Sequence, residues 1–214
     1  LADTHERHEE VFLPDGDILV FAGDMSGGGS EGSARRFIHW FGKQPHKEKV
    51  IVAGNHDRCF DSEVKHLLRL AVEERGIRYL EHEAVSIKGV NFFGSPYQPE
   101  FCDWAFNVKR GEALARLWSQ IPVETEVLIT HGPPFGILDM TVSGERVGCE
   151  DLRKRIDNLP CLKVHIFGHI HNSYGMKVHN GVRYVNASTC GEDYEPSNRP
   201  VVFELTVDRQ SRVE

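Results

Sequence analysis

Five short apolar runs, at residues 17–23, 49–54, 86–94, 126–130 and 163–168, most constrain what this chain can fold into. They are rich in Val, Ile and Phe and too short for buried helices, so they read as buried strands. Helical patterns lie between several of them. Residues 33–43 gather Ala34, Phe37, Ile38 and Phe41 on one face, and residues 61–75 gather Val64, Leu67, Leu68, Ala71 and Val72 behind Asp61 as a candidate N-cap. Residues 111–120 and 149–158 repeat the pattern. After Gly168 the chain turns strand-rich: 175–179 and 182–186 flank Asn180-Gly181, a pair that tolerates the positive φ of a type I′ turn, and 201–207 reads as a closing strand. Strands alternating with helices, then a strand-rich end, predict a layered α/β domain with two sheets, one domain over residues 1–214.

Composition narrows the function. A net charge of −7 argues against a protein that coats long nucleic acid through counterion release, but a small anionic substrate at a locally positive site is compatible with it. No apolar run reaches the ~18–20 residues that span a bilayer, so no membrane partner is expected. The five cysteines are widely spaced and never form a C-x-x-C pair, which points to a reducing, cytoplasmic setting. Gly27-Gly28-Gly29 lacks the Gly-Lys-Ser/Thr ending of a nucleotide P-loop, and His5-Glu-Arg-His8 is one residue short of the zincin spacing.

The odd feature is 12 histidines, several of them placed directly after the apolar runs. Strand ends and the opening segment deliver Asp3, His5, Asp24, Asn55, His56, Asp57, His131, His169 and His171. In open α/β sheets the crevice beyond the carboxyl ends of the strands is where ligands bind. Imidazoles with carboxylates suit divalent Mn, Fe or Zn. Asp3, His5, Asp24, Asn55, His131, His169 and His171 are too many for one tetrahedral ion and suit two ions sharing Asp24. His56 is then left as a general acid. The remaining histidines, His8, His39, His46, His66, His82, His165 and His179, are expected on the surface or on helix faces.

Read in order, the motifs D-x-H (3–5), G-D (23–24), G-N-H-D (54–57), H (131) and G-H-x-H (168–171) resemble those of the calcineurin-like metallophosphoesterase superfamily. The segments Thr130-His-Gly-Pro-Pro134, Arg146-Val-Gly-Cys149 and Asn186-Ala-Ser-Thr-Cys190 are similar to the small subfamily containing the vertebrate brain metallophosphoesterase-domain proteins. The resemblance implies a two-sheet αββα sandwich with a dinuclear metal site. It implies Asp3, His5, Asp24 and His171 around a first metal and Asp24, Asn55, His131 and His169 around a second. His56 would protonate the leaving group, oriented by Asp57. It further implies attack by a metal-bridging hydroxide on small phosphodiesters of nucleotide or cyclic-nucleotide type. The family has a strand leading into D-x-H, and only Leu1 and Ala2 precede Asp3, so the natural chain is expected to begin upstream. Without that strand Asp3 and His5 would be loosely held.

Outside the motifs, Arg146 is a candidate phosphate contact, and Trp104 and Phe106 in the aromatic stretch 97–110 are candidates to wall the pocket and stack on a base. Cys59, though close to the motif residues, reads as an inert buried thiol. The rival readings are a phosphomonoesterase and an interaction scaffold of the same fold with weak activity; loss of motif ligands would mark the scaffold, and none is lost.

Overall fold

In a computed structural model, residues 1–206 are described. The chain runs β1 (Ile18–Ala22), α1 (Glu31–Gly42), β2 (Glu48–Val52), α2 (Lys65–Glu73), β3 (Arg78–Tyr79), β4 (Glu83–Ile87), β5 (Val90–Ser95), β6 (Gln98–Pro99), β7 (Asn107–Val108), α3 (Glu112–Trp118), β8 (Val127–Thr130), α4 (Glu150–Ile156), β9 (Val164–Phe167), β10 (Gly175–His179) and β11 (Val182–Asn186). One main sheet has the parallel order β1-β2-β3, the second is mixed, in the order β10-β11-β9-β8-β5-β4, and β6 and β7 form a short parallel pair of their own.

Strand periodicity sorts the core into three layers, because alternate residues point to opposite faces. Val50 and Val52 of β2, Val127 and Ile129 of β8, and Val164 and Ile166 of β9 pack together between the sheets. The intervening Ile51, with Leu19 and Phe21 of β1, faces Phe37, Ile38 and Phe41 of α1 and Leu68 and Val72 of α2. On the far side Leu128, Phe167 and Tyr184 meet Leu114 and Trp118 of α3 and Leu152 and Ile156 of α4. The result is the layered α/β arrangement that the alternation predicts, in the αββα form that the resemblance implies.

Local chemistry sets the element ends. The Ser30 hydroxyl caps α1 by accepting from Ser33 N–H at 3.1 Å. Asp61 does not cap α2, which begins after Val64 without a side-chain cap; its carboxylate accepts from Phe106 N–H instead. The run 86–94 is not one strand. Lys88 (φ 50°) and Gly89 (φ 83°) turn it into the β4–β5 hairpin, and Asn180 (φ 49°) and Gly181 (φ 79°) make the turn expected between β10 and β11. The closing strand does not form within the described residues. Residues 201–206 join no ladder, although Val201, Phe203 and Leu205 pack alternately on the inter-sheet core, and Val207 lies outside the described residues.

The opening residues are firmly held. Ala22 N–H donates to the Leu1 carbonyl (2.9 Å) and Asp3 N–H to that of Gly23 (2.8 Å), while Ala2 N–H reaches Ala187 (2.8 Å) and Thr189 N–H reaches Ala2 (2.8 Å). Leu1 to Asp3 thus lie between β1 and the chain leaving β11. Asp3 is buried and is anchored by these contacts.

Candidate metal centre

The carboxyl ends of β1, β2, β8 and β9 and the Leu1–Asp3 segment open on one edge, which is why residues far apart in sequence converge there. Three groups of potential ligand atoms lie within 4.8 Å of one another: Asp3, His5 and His171; His5, Asp24 and His56; Asp24, His131 and His169. Asp24 is common to two of them. Its Oδ2 is 3.3 Å from His131 Nε2 and 3.9 Å from His5 Nε2, between the two halves, while its Oδ1 accepts from His56 N–H at 2.8 Å. Asn55 Oδ1 is 2.8 Å from His131 Nε2, and Asp3 Oδ1 is 3.6 Å from His171 Nε2. All seven residues that the sequence nominates as metal ligands are therefore in one place.

Backbone carbonyls fix the rings. His5 Nδ1 faces the Ser26 carbonyl (3.2 Å), His131 Nδ1 that of Ala22 (3.0 Å), and His171 Nδ1 that of Gly191 (2.9 Å). Each contact requires an Nδ1–H donor and so turns the Nε2 lone pair into the cluster, the arrangement that orients metal-binding imidazoles. Asp3 is set in the same manner: its carboxylate accepts from His169 N–H (3.0 Å) and the Ser188 hydroxyl (2.7 Å).

This donor set fits divalent cations. With both Nδ1 atoms donating, His5 and His171 point lone pairs at each other across 3.2 Å, and His131 points its own at the Asn55 and Asp24 oxygens. Acceptors converging with no donor between them require positive charge. In the absence of a cation that charge is a proton: burial lowers the pKa of His131, yet the Asp24 carboxylate outweighs it and raises it to about 9. Burial likewise opposes, and Asp3 drives, a rise of His171 to about 9. Despite burial, Asp24 is held well below the usual carboxylate range by His131 and His5. His169, half-buried, is pushed down to about 3 by desolvation and by the neighbouring His131, and stays neutral, ready to donate a lone pair.

The glycines of the motifs have a steric reason. A Cβ on Gly54 would stand 2.2 Å from Asp24 Oδ1, and one on Gly168 would stand 2.1 Å from Asp3 Oδ2. The space they leave is filled by neighbouring ligand carboxylates, and this packs the strand ends against one another. Four of the ligand residues also have left-handed backbones: Asp3 (φ 50°), His5 (40°), Asp24 (61°) and His169 (69°). Such conformations are disfavoured for L residues and concentrate at functional sites.

His56 and Asp57 have different roles. His56 is partly exposed, lies 4.7 Å from the His5 ring, and has its Nδ1 2.6 Å from the Gly27 carbonyl. Asp57 does not orient it. The Asp57 carboxylate is fully buried and accepts five hydrogen bonds, from the N–H groups of Asp24, Met25, Ser26 and Gly54 and from the Ser26 hydroxyl. It is the hub that shapes the two loops carrying Asp24 and Asn55. Burial and the Asp24 charge push its pKa up to about 6, against the pull of those donors.

The candidate substrate contacts separate. Trp104 lies against the His56 ring at 4.2 Å with 30° between planes, and the Arg58 guanidinium lies 4.6 Å from its centroid. Phe101 contacts the His169 ring at 6.0 Å. Phe106 faces the other way: it is 2% exposed, within the core under α1 and α2. Arg146 is tied to the buried Asp139 at 2.8 Å, and Asp139 also accepts from the N–H groups of Gly136 and Gly148, so this pair holds the loop after β8.

Of the histidines outside the motifs, expected on the surface or on helix faces, His8, His46 and His165 are buried and lie on no α-helix. Cys59 is buried, and its thiol is pushed up to about 12 by burial. Sequence reasoning missed the carbonyls of Ser26, Gly27 and Gly191, which carry no side-chain signal, and Tyr194, whose ring lies 4.7 Å from that of His5.

Fold and site together define a calcineurin-like phosphoesterase: the chain belongs to that family, whose model matches residues 1–173. Within it, the chain is 35% identical to human metallophosphoesterase domain-containing protein 1 over 99% of its length and 71% of that protein. It is 37% identical to a Caenorhabditis elegans UPF0046 protein over 95% of its length and 73% of the relative. The fold also matches the crystal structure of the phosphopantetheinyl hydrolase of Mycobacterium tuberculosis, with a TM-score of 0.57, 14% identity and 95% of each chain covered. Metal-dependent phosphoester hydrolysis is the family's chemistry.

Proposed function

We propose that the chain is a dinuclear metal-dependent phosphodiesterase acting on small phosphodiesters of nucleotide or cyclic-nucleotide type. The observation that carries this reading is the shared Asp24 Oδ2, 3.3 Å from His131 Nε2 and 3.9 Å from His5 Nε2, between two acceptor-only ligand sets. Asp3, His5, Asp24 and His171 would hold one divalent ion and Asp24, Asn55, His131 and His169 the other; imidazole and carboxylate donors suit Mn, Fe or Zn. The ions would supply Lewis-acid charge for the phosphoryl oxygens and an acidified water as nucleophile.

The protein's own groups do the rest. His56 stands at the edge of the cluster with Nδ1–H held by the Gly27 carbonyl, which leaves Nε2 as the ring atom for the site; in the imidazolium form that nitrogen would carry the proton given to the departing oxygen. Asp57 keeps the Asp24 and Asn55 loops in register. Charge supports a diester over a monoester. The candidate arginines are engaged elsewhere, Arg7 with Glu10 and Glu195, Arg58 with the Asp103 carbonyl and Trp104, and Arg146 with Asp139, so the extra charge of a monoester dianion has no free guanidinium from these three. The five free cysteines are consistent with a cytoplasmic setting, and among the described residues no helix is long and apolar enough to cross a membrane.

The test compares Mn-reconstituted protein on bis(p-nitrophenyl) phosphate and p-nitrophenyl phosphate, followed by a panel of linear and cyclic nucleotides. The expected result is a higher kcat/KM for the diester. A higher value for the monoester moves the assignment to a phosphatase, and no turnover with both metals bound moves it to a scaffold.

A further inference from the structure

No motif announces Tyr194, yet the fold goes to some length to hold it over the site. It stands on the turn 191–195, where Tyr194 N–H donates to the Gly191 carbonyl (3.0 Å) and Gly191 N–H to that of Glu195 (2.9 Å). The turn is fastened to the first half of the metal centre. Gly191 supplies the carbonyl that orients His171 (2.9 Å), Cys190 N–H donates to the Asp3 carbonyl (3.1 Å), and Arg7 clasps Glu195 with contacts of 2.8 and 3.0 Å. Tyr194 itself has φ 60°, a left-handed backbone that bulky residues seldom adopt.

This posture sets the ring edge-on to His5 (4.7 Å, 74°) and His171 (5.5 Å, 77°), with His56 at 6.4 Å. The residue nonetheless remains 47% exposed, and its phenol makes no hydrogen bond among the described residues. The His56 ring has Trp104 at 4.2 Å and Tyr194 at 6.4 Å, so these two aromatic rings border the position of a leaving group that takes its proton. Trp104 is already engaged by the His56 ring and the Arg58 guanidinium, whereas Tyr194 keeps a free face.

We infer that Tyr194 is a specificity-determining residue whose open ring face receives the planar organic group leaving with the ester oxygen beside His56. The inference rests on the phosphodiesterase reading and selects, within it, diesters whose leaving alcohol or phenol carries an aromatic or heteroaromatic ring. Ring stacking of this kind is sequence-tolerant and acts through binding more than through the chemical step.

The experiment uses Mn-reconstituted wild type, Tyr194→Asn and Tyr194→Phe, with methyl p-nitrophenyl phosphate as substrate and dimethyl phosphate as a ringless competitive inhibitor. Asn is chosen because it tolerates the left-handed backbone and so preserves the turn. In Tyr194→Asn the KM for the aryl diester is expected to rise about tenfold while kcat stays within about threefold, with bound metal and the Ki of dimethyl phosphate unchanged. Tyr194→Phe is expected to behave as wild type. An unchanged KM in Tyr194→Asn overturns the inference. So does a parallel rise of KM and Ki, or loss of metal, either of which makes Tyr194 structural. A Phe variant as impaired as Asn also overturns it, because the hydroxyl would then matter and not the ring. Failure of the wild type to hydrolyse any diester overturns the underlying phosphodiesterase reading, and is seen before any variant is compared.

Discussion

His56 and Asp57 are neighbours in one motif, and their environments assign them opposite duties. His56 is partly exposed at the cluster's edge with one ring nitrogen anchored; Asp57 is sealed under it with five donors on its two oxygens. Their alanine variants should therefore fail differently. His56→Ala removes a proton donor and is expected to lower kcat by about 10²–10⁴-fold with thermal stability and metal content intact. Asp57→Ala leaves buried N–H groups without acceptors and is expected to destabilise the fold by about 3–5 kcal/mol and to lose metal. Thermal denaturation, metal analysis and kcat on the same three proteins separate the two roles; a stable, metal-loaded Asp57→Ala that is merely slow would contradict the hub assignment.

At the scale of elements, the parallel strands matter because they deliver their carboxyl ends to one edge, and the alternation of β8 and β9 fixes what each residue faces. In β9, Val164 and Ile166 enter the inter-sheet core, so His165 must point to the helix layer. There it is fully buried, with Nε2 2.8 Å from Thr130 Oγ1 and Nδ1 unpartnered. Burial pushes its pKa down to about 3. The unfolded chain binds a proton near the ordinary histidine value while the folded chain does not. His165 therefore contributes stability above about pH 6.5, and that contribution is lost as pH falls toward 3, at up to about 1.4 kcal/mol per pH unit. Urea midpoints measured from pH 7 to 4 should fall less steeply in His165→Asn than in wild type; parallel slopes would show that this histidine does not carry the dependence.

At the scale of the whole molecule, the layers and nearly all members of the candidate metal cluster are legible in the sequence, because strand length, helix period and motif order each have a local signature. What is not legible depends on contacts across the fold. Lys88-Gly89 breaks the run 86–94 through backbone sign alone, and Phe106 reads like Trp104 until the core claims it. Asp57 looks like a partner of His56 until the loops close on it. Tyr194 has no signature at all, since its place is set by a turn hydrogen-bonded to His171. A chain of net charge −7 can hold an anionic ester only if positive charge is concentrated where the acceptors converge. That makes metal stoichiometry the direct test. Metal-stripped protein should be titrated with Mn while hydrolysis of bis(p-nitrophenyl) phosphate is followed. Turnover should be absent without metal and level off at two equivalents, and Asp24→Ala should show no turnover at any metal concentration. Full activity at one equivalent, or in the stripped protein, would contradict it.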